Sequence, residues 1–187
     1  MIDLFQAIKY FKGILNKEKA FIGPNIVSLD VTNHCNLKCI YCNDGLISIS
    51  EKRNIISLEV FKKTIDDLAK IGTKKVNITG GEPLMCPDII DYLEYIKFKR
   101  FTLILRTNGT LLSKRIIEKL IECRCNELHI NFSFGSRESY IKQCKPGNKN
   151  LYNLVYENIL YLNSPKIINK LRTYISCIIH NNNFEEI

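Results

Sequence analysis

Apolar positions follow two rhythms along this chain. Short, almost continuous apolar runs at 26–31, 74–79, 101–105, 127–134 and 171–179 predict five strands. The run Phe101-Thr102-Leu103-Ile104-Leu105 has the character of a strand covered on both faces, as in a parallel sheet. Between these runs apolar residues return every three or four positions, the period of a helix with one buried stripe. Ser57 is placed to cap a helix carrying Phe61, Ile65, Leu68 and Ile71, which Gly72 ends. Pro87 opens a second helix with Ile89, Ile90, Leu93 and Ile96, and Ser113 caps a third with Ile116, Ile117, Leu120 and Ile121. Residues 151–162 form a fourth. Strand and helix thus alternate, the pattern of βα units around a parallel sheet, open or partly closed into a barrel. Ahead of Pro24, Phe5, Ile8, Phe11 and Leu15 fall at helical spacing. The chain therefore divides into an N-terminal amphipathic helix or leader, 1–23, and an α/β core, 24–187. The leader is expected to pack on the core or on a further domain, ahead of lying on a membrane surface with Lys9, Lys12, Lys17 and Lys19 flanking its apolar stripe.

Composition narrows the class. Of 187 residues 45% are apolar and 25% charged, enough for a buried core and too apolar for disorder. No apolar run approaches the roughly 20 residues that span a bilayer. The 27 basic residues exceed the 19 acidic ones, for a net charge of +8, but they are scattered, so nucleic acid is not the expected partner. The first residues, with Asp3 close to several lysines, do not form an export signal. The expected setting is a reducing cytoplasm, where cysteines bind metals or react more often than they pair. Eight cysteines are more than packing needs, and their spacing decides their role.

Cys35, Cys39 and Cys42 lie within eight residues, directly after the first predicted strand, on the side where parallel βα folds carry their chemistry. Asn33, Asn36 and Lys38 among them do not read as core. Three thiolates suit an iron–sulfur cluster with one iron left open. A structural zinc site wants a fourth ligand, which no suitably spaced Cys or His supplies. Two further loops follow strands. Gly80-Gly81-Glu82-Pro83 offers backbone that can approach a ligand closely and a carboxylate that can accept from an ammonium, and Thr107-Asn108-Gly109 forms a tight turn. Cys86, Cys123, Cys125, Cys144 and Cys177 are assigned to packing, and His34, His129 and His180 to no proton transfer.

The C-x3-C-x2-C spacing inside Thr32-Asn33-His34-Cys35-Asn36-Leu37-Lys38-Cys39-Ile40-Tyr41-Cys42, together with Gly80-Gly81-Glu82-Pro83, resembles the radical S-adenosylmethionine (SAM) superfamily. It is most similar to the core domain of peptide-modifying, SPASM-type members and of the molybdenum-cofactor synthase. The resemblance implies a partial (βα) barrel with about five of six units present, truncated at the C-terminus. It implies a [4Fe–4S] cluster held by Cys35, Cys39 and Cys42, with SAM on the fourth iron. Gly80, Gly81 and Glu82 would hold the methionine amino group and Tyr41 would contact adenine; Asn108 and Ser133 would be further SAM-side positions. The acid that many relatives carry just after this serine is missing here.

The implied reaction is reductive cleavage of SAM to a 5′-deoxyadenosyl radical that abstracts hydrogen from a substrate, a peptide or a small molecule. Its implied partners are an electron donor such as flavodoxin or ferredoxin and a second subunit completing the barrel. Two alternatives stand beside it: a non-catalytic iron–sulfur and SAM-binding module acting as a partner or truncated remnant, and a zinc-binding nucleic-acid protein.

Overall fold

The computed structural model describes residues 4–16, 21–42, 54–181 and 183–186. Helix α1 (Leu4–Asn16) precedes strand β1 (Ile26–Asp30). Then follow α2 (Leu58–Lys70), β2 (Lys75–Thr79), α3 (Ile89–Phe98), β3 (Thr102–Thr107), α4 (Lys114–Glu122) and β4 (Glu127–Asn131). Two helices, α5 (Arg137–Cys144) and α6 (Leu151–Leu162), lead to β5 (Thr173–Ser176). The five strands form one sheet in the order β1-β2-β3-β4-β5, every pair parallel, with Leu29, Ile78, Leu105, Leu128 and Thr173 in register across it.

One face of the sheet makes the core. Val76, Ile78, Leu103, Leu105, Leu128 and Ile130 alternate along β2, β3 and β4 and are buried with Phe61 and Ile65 of α2, Tyr92 and Leu93 of α3, Leu120 of α4 and Val155 of α6. Each such side chain contributes about 1.5–3 kcal/mol by leaving water. The Phe61 and Tyr92 rings stack at 4.0 Å, and the Tyr92 hydroxyl donates to the Ile56 carbonyl, fixing α3 against the segment that enters α2. The serine caps are as the sequence predicts: Ser57 accepts from the Val60 N–H and Ser113 from the Ile116 N–H, each at 3.3 Å.

The intervening strand residues face away from these helices and are mostly polar, with Ile104 the buried apolar exception between Asn77 and Glu127. Asn77 donates to Ser28 at 3.0 Å, Glu127 lies 3.1 Å from the His129 ring, and that ring stacks on Tyr174 at 4.8 Å. Arg106, on the same row as His129, is exposed.

Several expectations need correction. The strand predicted over 127–134 ends at Asn131, and the one over 171–179 spans only Thr173–Ser176. Beyond them the Ser133 hydroxyl accepts from the Ile178 N–H at 2.8 Å, so a side chain replaces the ladder. Helix α5 was not predicted, because Arg137-Glu138-Ser139-Tyr140 mixes polar and apolar positions without a clear stripe. Helix α1 forms, but Leu4, Phe11 and Leu15 are exposed rather than packed on the described residues. Lys17 and Lys19 of the leader lie outside the described residues.

Candidate metal centre

The loop of Cys35, Cys39 and Cys42 leaves the carboxyl end of β1 and is held from four sides. At its start, Thr32 bridges Ile55, the Asn33 N–H donates to the Asn54 carbonyl at 3.2 Å, and the Asn54 N–H returns a bond to the Asn33 side chain at 2.7 Å. At its far end, the Lys38 and Ile40 N–H groups donate to the Cys144 and Gln143 carbonyls, both at 2.9 Å. Those are terminal carbonyls of α5, which lack partners within their own helix, so the helix end and the loop satisfy each other.

The third contact is backbone on backbone. The Gly81 N–H donates to the Thr32 carbonyl at 2.7 Å and the Glu82 N–H to the His34 carbonyl at 2.6 Å. A Cβ on Gly80 would overlap the Thr32 carbonyl oxygen, and one on Gly81 the His34 carbonyl oxygen. Gly80 also has φ +125°, a conformation open to glycine alone among common residues. The two glycines are therefore required by the cysteine loop lying directly on them.

The fourth contact runs through Glu82. Its side chain is fully buried. Oε1 accepts from the Thr107 hydroxyl at 2.7 Å and the Leu84 N–H at 3.0 Å, and Oε2 accepts from the Asn108 N–H at 2.7 Å. Burial pushes this carboxyl above the ordinary carboxylate range, while the three donors pull it back. The carboxylate expected to receive an ammonium thus also braces the β2 and β3 loops, with Oε2 accepting a single bond. Asn108 extends the brace: its amide Nδ2 donates to Asn36 at 2.9 Å and reaches the Cys35 sulfur at 3.7 Å. Asn36 in turn donates to Thr110 at 2.8 Å.

The thiols differ sharply. Cys35 keeps accessible surface, yet protein crowding its sulfur pushes its pKa up to about 11, against a bond from the Leu37 N–H at 3.4 Å that lowers it. Cys39 is pulled below the usual thiol range, chiefly by a hydrogen bond from the Cys144 thiol. Cys144, assigned to packing from sequence, is in fact buried against this loop, with its sulfur 3.6 Å from the Tyr41 hydroxyl. Tyr41 lies over Phe134 at 6.2 Å and His180 at 5.8 Å between ring centres. Leu37, Phe134, Tyr140 and Cys144 form a small buried cluster under the loop, with Cys39 and Tyr41 packed on it. No local motif marks Cys144, Tyr140 or His180; only the fold brings them here.

Ser133 is fully buried, donates to Asn131 at 3.2 Å and accepts from Ile178, so its one donor is already used within the fold. It ties the end of β4 to the segment after β5 rather than offering a hydroxyl to a ligand. The Cys125 sulfur lies 3.4 Å from the Glu127 carbonyl, and Cys86, Cys123 and Cys125 are buried in the main core, as packing requires. The polar row on the sheet face turned away from α2, α3, α4 and α6, with Arg106, Glu127 and His129, escaped sequence reasoning, although strict alternation of polar and apolar residues in β4 announced it.

Among the described residues no three or more His, Cys, Asp or Glu side chains already converge on one point, so donor chemistry rather than preset geometry separates zinc from a cluster. Three thiols without a fourth protein ligand suit an iron–sulfur cluster better than a closed zinc site. Three thiols share one clamped loop, N–H donors already point at the Cys35 sulfur, and Cys39 is prepared for thiolate ligation.

The sequence profile described as the Radical SAM superfamily matches residues 29–187. The chain belongs to the radical SAM superfamily. It is 31% identical over 118 residues to the AdoMet-dependent heme synthase of Methanosarcina barkeri, covering 63% of this chain and 34% of that protein. It is 34% identical over 139 residues to the antilisterial bacteriocin subtilosin biosynthesis protein AlbA of Bacillus subtilis, covering 67% of this chain and 30% of that protein. In structure, Streptococcus suis SuiB bound to the precursor peptide SuiA superposes with a TM-score of 0.77 at 18% identity, over 98% of this chain and 39% of that one. The radical SAM chain thus spans about a third of the curated relatives it matches. A [4Fe–4S] cluster and SAM are the cofactors of this family, and anSMEcpe with bound AdoMet superposes with a TM-score of 0.67 at 18% identity, over 86% of this chain and 47% of that one. No helix among the described residues is long and apolar enough to cross a membrane.

Proposed function

We propose that this chain is the core of a radical SAM enzyme, in which Cys35, Cys39 and Cys42 hold a [4Fe–4S] cluster. One observation supports the reading: loops from the carboxyl ends of β1, β2 and β3 are bonded to one another beside Cys35, on the loop that carries all three thiols. When bound and reduced, the cluster supplies the electron that cleaves SAM to a 5′-deoxyadenosyl radical. The chain's own residues position and enclose. Backbone carbonyls of the Gly80-Gly81-Glu82 loop receive the methionine amino group, Asn108 sets the loop beside Cys35, and the Tyr41 ring shields the cluster side of the adenine. The polar sheet face turned away from α2, α3, α4 and α6, with Arg106 exposed and His129 held by Glu127, receives the substrate.

Relatives named for a bacteriocin and for a bound precursor peptide favour a peptide as that substrate. A low-potential donor of the flavodoxin or ferredoxin class supplies the electron. In a reducing cytoplasm, a second subunit or further chain closes the barrel beside β5, where Tyr174 and Ile175 are exposed.

Anaerobic reconstitution with iron and sulfide, followed by dithionite and SAM, tests this. The expected results are about four irons per chain for the wild type, formation of 5′-deoxyadenosine, and loss of the cluster in Cys35→Ala, Cys39→Ala and Cys42→Ala. A cluster without SAM cleavage would make the chain a binding module. Full iron content in any of the three variants would overturn the ligand assignment.

A further inference from the structure

Beneath the cysteine loop lies a polar atom without a partner among the described residues. Tyr140 is 2% exposed, and its buried hydroxyl meets no hydrogen-bond partner among them. The hydroxyls of neighbouring tyrosines are engaged: Tyr41 at Cys144, and Tyr152 at the Gly135 carbonyl at 3.2 Å. The Tyr140 ring is fixed by edge contact with Phe134 at 5.7 Å and by Phe132 and Tyr152 at 6.1 and 5.7 Å. It belongs to the same small cluster as Leu37 and Cys144, on which Cys39 packs. The sulfurs of Cys144, Cys39 and Cys35 are all close enough to act electrostatically on its hydroxyl. A phenylalanine would fill the same space without the cost of an unmade bond, since a buried hydroxyl lacking a partner destabilises a fold.

We propose that the Tyr140 hydroxyl is a hydrogen-bond donor to the bound cluster, to one of its sulfides or to a ligating cysteine sulfur, and so a positioning residue that sets its reduction potential. The inference rests on the cluster reading above. A cluster sulfur within reach would give the orphaned hydroxyl an acceptor, at a buried position where such a bond is strong. Reduction adds negative charge to the sulfurs, so the donor favours the reduced form and raises the potential.

The test is Tyr140→Phe, with Tyr152→Phe as a control for aromatic packing. Both are purified without the cluster and again after anaerobic reconstitution. Without the cluster, Tyr140→Phe is expected to match or exceed the wild-type unfolding midpoint, because it deletes an unpaired group. With the cluster, the reduced-to-oxidised ratio at a fixed solution potential, read by electron paramagnetic resonance, is expected to fall about threefold. For one electron that is about 30 mV, taking 59 mV per tenfold. The Fe–S stretching bands of the loaded wild type should shift in deuterated buffer by an amount that Tyr140→Phe removes. Tyr152→Phe should leave the potential unchanged.

A cluster-free Tyr140→Phe less stable than wild type would show that the hydroxyl already has a partner. An unchanged potential and deuterium shift in the loaded variant would also overturn the proposal, with the cluster reading intact. Should Tyr140→Phe fail to load while Tyr152→Phe loads, the hydroxyl would be required for assembly instead of tuning the potential, and the proposal as stated would be overturned. A wild type that assembles no cluster would sink both readings.

Discussion

Replacing Glu82 removes the carboxylate on which three loop donors converge. In Glu82→Ala the N–H groups of Leu84 and Asn108 lose their acceptor in a buried position, at about 1–3 kcal/mol each, while the Thr107 hydroxyl can rotate elsewhere. The expected loss is about 4 kcal/mol, which for a chain of this size lowers the thermal midpoint by roughly 8–16 °C. Glu82→Gln keeps one oxygen for Thr107 and Leu84 but turns an amide toward the Asn108 N–H, so about 2 kcal/mol is expected.

The pH dependence has a definite sign. Burial holds the folded-state pKa of Glu82 above its unfolded value. Its contribution is therefore fullest below the ordinary carboxylate range and declines as pH rises through the folded value. Glutamine does not titrate, so the cost of Glu82→Gln should shrink from acid to neutral pH. Urea unfolding of the cluster-free protein at several pH values measures all of this. A cost below about 0.5 kcal/mol for both variants would refute the brace, since surface substitutions stay within that range. A Gln cost that grows with pH would refute the titration.

Two further outcomes follow from the loop contacts. Gly81→Ala should cost about 1–3 kcal/mol and lower the iron bound after reconstitution, because its Cβ overlaps the His34 carbonyl, whereas Gly147→Ala, with open space around it, should be neutral; equal behaviour of the two would remove the backbone docking described here. In cluster-free protein, iodoacetamide should modify Cys39 before Cys35 near neutral pH despite the greater exposure of Cys35. The thiolate of Cys39 grows as pH rises through its lowered pKa, while that of Cys35 waits until about 11, and peptide mass spectrometry reversing this order would refute it.

The βα alternation was legible because its signals are local: Ser57 and Ser113 cap their helices, and the apolar stripes of α2 and α4 are those that become buried. The triplet of Cys35, Cys39 and Cys42 was legible because its spacing is short. Roles at the site were less so. Glu82 and Ser133 lie where a ligand was expected, and their side-chain oxygens accept from Thr107, Asn108 and Ile178, partners from 25 to 45 residues away. Cys144 and Tyr140 sit on a helix whose weak stripe hid it, and they meet Cys39 and Tyr41 only through tertiary packing. Short-range chemistry is written in the motif, whereas which face of a loop stays open depends on what the rest of the chain puts behind it.

The anchoring of Lys38 and Ile40 on the last carbonyls of α5 has a consequence for biogenesis. During synthesis Cys35, Cys39 and Cys42 precede Gln143 and Cys144 by about a hundred residues. Until α5 has been made, the loop lacks its distal anchor. If these thiols take up a cluster, the shaped form of the loop that receives it exists only after α5 has been translated and has docked.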